Sequence, residues 1–402
     1  MSTIQISELK PGKVVAANVT TADGRVLLAK GGKVEPWHLN LFQGLGIKSL
    51  EVEDSQEDRC IQEAADYVVD FFAYVNPDHP VMGELYNFAV DLVALRLGQG
   101  WTVPSLAERR AKNVENLSDV FSPDIVSPEK IAKYDVELSS FPEVYFKLRE
   151  AIDSPATSVG RLAELVSQDM SLVAKLLKLA NSPLYGLDQP IESIQRAIAI
   201  IGVKELSILA LGMSAINYFK GIPPELIDMK TFWRHSISCG IFAKILAKTL
   251  GESHAERFFI AGLLHDAGRL ILFKEMPYAS SEAMIFAREN VLPLVEAEQA
   301  TFGFTHTMVS EHLLREWKFP PALSDLINHH HSPMAAPNPR DAAIIHVADV
   351  MANALGIAAG QMYVIPPFDE QAWDLLGIPA QGVQRICSDY EIQEENTLEV
   401  FS

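Results

Sequence analysis

The apolar positions of this chain change their period along its length. In residues 1–54 they fall in short runs. Val14-Val-Ala-Ala-Asn-Val19 and Arg25-Val-Leu-Leu-Ala29 read as strands, with the turn pair Asp23-Gly24 between them. Gly31-Gly32 turns the chain again, Pro36 opens a helix that runs to about Leu45 and stops at Gly46, and Ile47 to Val52 reads as a closing strand. From Asp58 onward the period becomes helical. Asp58 to Tyr74 and Gly83 to Leu97 are expected as helices, broken by Asn76-Pro-Asp-His-Pro80. Trp101 to Asn116 is more polar, and Pro123 and Pro128 flank a linker-like segment.

Residues 136–360 carry helical periodicity almost throughout. Leu162, Leu165, Val166, Met170, Val173, Leu176, Leu177 and Leu179 mark one helix, with Ser158 as its N-cap and Asn181-Ser-Pro183 as its stop. Further helices are expected over 193–201, 203–219, 231–250, 254–272, 284–302, 305–317, 321–330 and 340–355, and a short one near 371–376. No period of 20–50 residues marks a solenoid. The fold class is therefore mainly α. A small mixed α/β module (1–54) precedes a helical connector and linker (55–135), an all-helical domain (136–360) and an acidic tail (361–402).

Composition narrows the function classes. The 402 residues include 33 basic and 52 acidic side chains, a formal net charge of -19, and no basic run. Direct duplex nucleic-acid binding and anionic-membrane binding are disfavoured, since both partners are polyanions. Cys60, Cys239 and Cys387 are widely spaced and odd in number, which fits free thiols in a reducing compartment. The first residues lack a basic region followed by an apolar run, and no apolar stretch is long enough to span a bilayer. A cytoplasmic protein without a signal peptide is expected.

Candidate chemistry centres on His265-Asp266, at the end of the apolar run Phe259-Ile-Ala-Gly-Leu-Leu264. An adjacent His and Asp offer a metal one nitrogen and one oxygen. His235 precedes them, and His306, the run His329-His330-His331 and Asp349 follow. Imidazole and carboxylate donors suit Fe, Mn, Zn or Mg, and one or two ions can share the carboxylate. Each residue also has a plainer reading. The His run sits where it can complement a helix C-terminus, and Asp349, in Ile344-Ile-His-Val-Ala-Asp-Val350, needs some partner if buried.

The order His235, His265-Asp266, the His run and Asp349 resembles the HD superfamily of metal-dependent phosphohydrolases. The stretch Leu165 to Gly186, ending in Asn181-Ser-Pro-Leu-Tyr-Gly186, is similar to the HDOD domain, the HD-related output domain of bacterial signalling proteins. Ile191 to Gly202 and Leu313 to Pro320 fit it too, so the resemblance covers roughly 136–355. Leu9-Lys-Pro-Gly12 and Gly24 to Gly31 look like the small domains that precede HD-type output domains. The resemblance implies a helical regulatory module with signalling-protein partners, and oligomers are compatible with it. It further implies metal positions at His235, His265, Asp266, His306, one or two of the His329–His331 run (His329 and His330 first), and Asp349.

Against the related cyclic-di-GMP phosphodiesterases there are three departures. Their Gly-Tyr-Pro signature is replaced by His331-Ser-Pro-Met, Arg269 stands where they carry a Lys, and Thr231 stands where a third-metal Glu is expected. Arginine stays protonated and does no acid–base work, although it can hold phosphate. A bacterial signal-transduction regulator is the expectation. The alternative is a hydrolase acting on a nucleotide or cyclic dinucleotide, with Asp266 and Arg269 as its catalytic residues.

Overall fold

The computed structural model describes residues 2–104 and 146–401, apart from 22, 54, 77, 149, 152–153, 155–156, 188, 217–218, 220–221 and 358–363. Most of the polar stretch after Trp101, the linker around Pro123 and Pro128, and the expected start of the helical domain at 136 lie outside the described residues. The chain divides into two compact units, Met1–Val68 with Val90–Val103, and Val69–Ala89 with Pro104–Ser402.

The first unit contains two small antiparallel pairs. Strand β1 (Ser2–Gln5) pairs with β4 (Ser49–Val52), and β2 (Val19–Thr20) pairs with β3 (Val26–Leu28). The expected strand from Val14 is shorter than its apolar run. Val14 and Val15 make only isolated bridges, to Lys33 and Val52. Asp23-Gly24 makes the turn, with Gly24 at φ +84, a left-handed conformation that glycine adopts without strain. Helix α1 (Pro36–Gly44) lays Phe42 on a core shared with Val15, Val34, Leu50 and Val52. Helix α2 (Gln56–Val68) follows, and the end of α3 (Pro80–Gly98) completes the unit.

The second unit is helical among its described residues. It holds α4 (Val159–Val166), α5 (Met170–Ala180), α6 (Ile194–Ile201) and α7 (Val203–Ile216). Next come α8 (Met229–Thr249), α9 (Ala255–Leu264), α10 (Ala267–Glu275), α11 (Pro277–Glu289) and α12 (Leu294–Phe302). Then follow α13 (His306–Glu316), α14 (Pro321–Asn328), α15 (Pro339–Ala354), α16 (Glu370–Leu376) and α17 (Gly382–Phe401).

Three expected helices are each two. The Asp169 carboxylate accepts from Ser171 N and Leu172 N at 2.9 and 3.0 Å, so a new N-cap divides the 158–180 run. Pro293 restarts the chain as α12 after Val291 takes φ 55. The 254–272 run breaks at His265-Asp266 itself, between α9 and α10. The acidic tail is more structured than expected. Val383, Ile386, Cys387 and Tyr390 form a buried stripe on α17, and the Tyr390 ring stacks 4.2 Å from Phe242 of α8.

Asn181-Ser-Pro-Leu-Tyr-Gly186 forms a corner. The Asn181 side chain donates to Leu177 O (2.9 Å) and Ile191 O (2.8 Å) and accepts from Ile191 N (2.6 Å), tying the end of α5 to the approach of α6. The corner lies against α8: Lys244 Nζ sits 3.5 Å from the centre of the Tyr185 ring, and Lys248 Nζ donates to Leu184 O at 3.2 Å.

Candidate metal centre

Close backbone approach sets this site. Helices α8 and α9 cross at two glycines. A Cβ on Gly262 would fall 2.7 Å from Gly240 Cα, and one on Gly240 would fall 2.7 Å from Phe259 O. That crossing brings His235, near the start of α8, to His265 at the end of α9. A second approach follows the break. A Cβ on Gly268 would meet His306 O at 2.1 Å, and Gly268 N donates to Ser310 Oγ at 3.0 Å. Helix α13 therefore sits directly on α10 and places His306 beside Asp266.

The imidazoles are aimed by their outer nitrogens. His235 Nδ1 bonds Ile357 O at 2.6 Å, His265 Nδ1 bonds Gly262 O at 2.7 Å, and His330 Nδ1 bonds Ile327 O at 2.7 Å. Since a carbonyl only accepts, each Nδ1 carries a proton, and a neutral ring then presents its Nε2 lone pair to the interior. His306 Nδ1 lies 2.6 Å from Glu298 Oε2. The inner nitrogens converge: His235 Nε2 is 3.3 Å from His265 Nε2 and 3.2 Å from Asp349 Oδ1. His306 Nε2 is 3.4 Å from His330 Nε2 and 3.1 Å from Asp266 Oδ1. His331 lies beside them, its ring tilted against that of His330 with the centres 4.0 Å apart.

Facing lone pairs repel unless a cation lies between them. Asp266 Oδ1 and His331 Nε2 are buried atoms without a hydrogen-bond partner. Three overlapping donor sets lie within 4.8 Å: His235, His265 and Asp266; His265, His330 and Asp349; and Asp266, His306, His330 and His331. The orphaned atoms, the fixed tautomers and the N/O donor set fit divalent first-row ions.

Electrostatics follow from burial. His265, His306 and His330 are 0% exposed, and Asp266 and Asp349 are 2% and 3% exposed. Burial alone raises the Asp266 carboxyl, but Arg269, His265 and His306 outweigh it and hold it well below the usual range. Asp349 is likewise held down against burial, by His235 and His265. Burial, with His265 and His306 alongside, lowers His330 to about 3. Burial also pushes His331 well down, so both imidazoles stay neutral.

Of the expected ligands, His235, His265, Asp266, His306, His330 and Asp349 come together. His329 does not join the donor sets found among the described residues, because its Nδ1 turns to Asp325 O at 2.9 Å. His331, expected only as part of the run, joins instead. Sequence reasoning missed Glu298, which accepts from His306 N (3.0 Å) and from Arg269 Nε (2.9 Å). It also missed Asn353, which donates to Asp349 Oδ1 at 2.8 Å, one turn along α15. Arg269 is 3% exposed, with Nη1 2.5 Å from Asp266 Oδ2 and Nη2 3.1 Å from His306 Nδ1. His346 is structural: its Nδ1 donates to His330 O and its Nε2 accepts from Asp369 N.

The HDOD domain family model matches residues 138–333. Those residues of the chain carry an HDOD domain. The match ends before Asp349, so α15 adds that carboxylate from beyond the matched segment. An uncharacterised protein of Treponema pallidum is 25% identical over 202 residues, 50% of this chain and 39% of that relative, so the chain spans well under two thirds of its length. Among solved structures, a candidate phosphohydrolase from Shewanella amazonensis SB2B is 22% identical with a TM-score of 0.54, over 68% of this chain and 98% of its own. A candidate signal transduction protein from Marinobacter aquaeolei VT8 is 19% identical with a TM-score of 0.53, over 73% of this chain and 64% of its own. These two likenesses establish the fold. No helix among the described residues is long and apolar enough to cross a membrane.

Proposed function

We propose that this chain is a bacterial signal-transduction regulator whose HDOD domain holds divalent metal and passes a signal to a protein partner. One observation carries the metal: histidines with outer nitrogens tied to backbone carbonyls turn their inner nitrogens toward Asp266 and Asp349. His235, His265 and Asp266 would hold one ion, with Asp349 Oδ1 3.2 Å from His235 Nε2 beside them, and Asp266, His306, His330 and His331 a second. The state of Arg269 supports output over catalysis. Its guanidinium is committed to Asp266 and Glu298, so it is not free to meet a phosphate.

The second reading, a phosphodiesterase acting on a nucleotide or cyclic dinucleotide, is favoured by Asp266 standing in two of the three donor sets. Paired ions would supply Lewis-acid activation of water and a clamp on a phosphoryl oxygen. Asp266 would join the two positions, and Arg269 would have to leave Glu298 to reach substrate.

The test is elemental analysis of protein purified without chelator, followed by assay against cyclic dinucleotides and a phosphodiester reporter after manganese or iron loading. Bound metal without turnover is expected. Turnover abolished by Asp266→Ala would replace output with hydrolysis. Absence of metal after loading would remove both readings.

A further inference from the structure

We propose that Arg269 and Glu298 make the two ion positions unequal, so that one divalent cation binds tightly and the second exchanges with supply. The inference rests on the metal reading above and deepens it, by naming what regulates occupancy.

The inequality begins with charge. The first position has two carboxylates, Asp349 Oδ1 at 3.2 Å from His235 Nε2 and Asp266 Oδ2 at 3.5 Å from His265 Nε2. Neutral carbonyls orient both of its histidines. The second position has one carboxylate oxygen, Asp266 Oδ1, 3.1 Å from His306 Nε2 and 3.9 Å from His330 Nε2. Coulomb attraction for a dication is therefore weaker at the second.

Arg269 bears on both positions, since its Nη1 holds Asp266 Oδ2 at 2.5 Å, but only at the second does it also face a ligating histidine. Its fixed charge reaches the outer nitrogen of His306, Nη2 lying 3.1 Å from Nδ1, in a site with almost no solvent to screen it. Glu298 opposes that charge. One oxygen takes Arg269 Nε at 2.9 Å, and the other takes His306 Nδ1 at 2.6 Å and His306 N at 3.0 Å. A carboxylate on the outer nitrogen of a ligating histidine fixes its tautomer and raises its basicity. Of the four ligating histidines whose outer nitrogens are tied, His306 alone rests on a carboxylate. Glu298 is thus a positioning residue: it touches His306, a ligand of the second position, directly, and reaches the first only through Arg269 and Asp266.

The consequence is stepwise loading. At low supply the chain carries one ion on His235, His265, Asp266 and Asp349. At higher supply a second ion fills the side of His306, His330 and His331, and His330-His331 lies at the end of α14, where a local shift can be passed outward.

The experiment titrates cobalt(II) into metal-stripped full-length protein, with visible absorption and calorimetry as readouts. Wild-type protein should bind two equivalents whose affinities differ by at least about tenfold. Glu298→Gln should weaken the second step by roughly 10–100-fold and change its absorption band, leaving the first step within about twofold. Glu298→Asp, which keeps the charge, should recover part of the loss. Asp349→Asn should instead remove the tight step. Equal wild-type affinities, or a Glu298→Gln effect shared equally by both steps, would overturn this inference and leave the metal reading standing. Wild-type protein that binds no cobalt would overturn the metal reading itself. The stepwise wild-type curve decides the inequality even if the glutamine variant does not fold.

Discussion

Each of the two units contains a lysine–carboxylate pair, and the pairs are held in opposite ways. In the first, Lys13 and Asp58 side chains are 22% and 35% exposed, and Asp58 also accepts from Ser55 N and Oγ at 2.8 and 2.7 Å. In the second, Lys244 Nζ lies 3.2 Å from Glu256 Oε1, with exposures of 1% and 13%. It hovers over the Tyr185 ring and makes no well-directed hydrogen bond among the described residues. Water completes the shell of the first pair, so pairing adds little. A ring face and one carboxylate replace water for the second, and burial wins: the Lys244 ammonium is pushed down to about 7 despite Glu256. The lesson concerns the whole second unit. It accepts charge in its interior, at Lys244 and throughout the metal centre, while the first unit keeps charge at its rim around an apolar core.

The sharpest test of that contrast is Phe42→Ala. Phe42 is 0% exposed in the apolar cluster of the first unit, and its removal should cost about 3–5 kcal/mol. Hydrogen exchange of the β1 and β4 amides reads the loss within the intact chain. A cost under about 1 kcal/mol would mean that the first unit does not rest on this core.

Lys244 tests the other side. Its folded pKa lies below its ordinary value of 10.5, so between about pH 7 and pH 10.5 the unfolded chain binds more protons. Stability should rise with pH across that window, and the burial penalty should be fully present below about pH 7. The rise is on the order of a few kcal/mol. Glu256, Lys248 and Tyr185 face this ammonium, and Lys248 depresses it further. Lys244→Met should flatten the rise, read as urea midpoints from pH 7 to pH 10. An unchanged slope in the variant would assign the pH dependence to other groups.

How far the sequence led differs between these regions for physical reasons. Helical period located most helices of the second unit, because amphipathic spacing reflects one-sided burial. It ran through His265-Asp266 and Asp169 without a break, since neither contains Pro or Gly to announce one. The stripe at Val383, Ile386, Cys387 and Tyr390 was present in the sequence but masked by the acidic residues around it. The ligand set was visible as residue types, yet a run of three histidines at a helix end cannot say which rings turn inward. Glu298 carried no local signal at all. It reads as an ordinary acidic residue on α12 until α13 folds His306 onto it.

A smaller effect separates the corner from the pair it supports. Asn181→Ala removes two donated bonds and one accepted bond at the turn between α5 and α6. Partial exposure limits the cost to about 1–2 kcal/mol. Because the corner carries Tyr185 against Lys244, the variant should also blunt the pH slope of the wild type. Thermal unfolding at pH 7 and pH 10 measures both, and an unaltered slope would uncouple the corner from the lysine.

The smallest expected effect is Asp58→Asn. The Lys13 ammonium, with help from Ser55, lowers the Asp58 carboxyl from its ordinary value of 3.8 to about 2. A depressed carboxyl contributes stability above its unfolded pKa and loses it as the pH falls through the folded one, here between about 4 and 2. Solvent screening holds the contribution to at most about 1 kcal/mol. Molar salt should erase most of it, since the screening length then falls to about 3 Å. The Lys244 contribution, shielded from ions by burial, should persist in the same salt. Denaturant midpoints of wild type and Asp58→Asn, at low and high salt, check the difference. A salt-resistant loss above about 2 kcal/mol would place this pair in the same class as Lys244 and dissolve the contrast between the units.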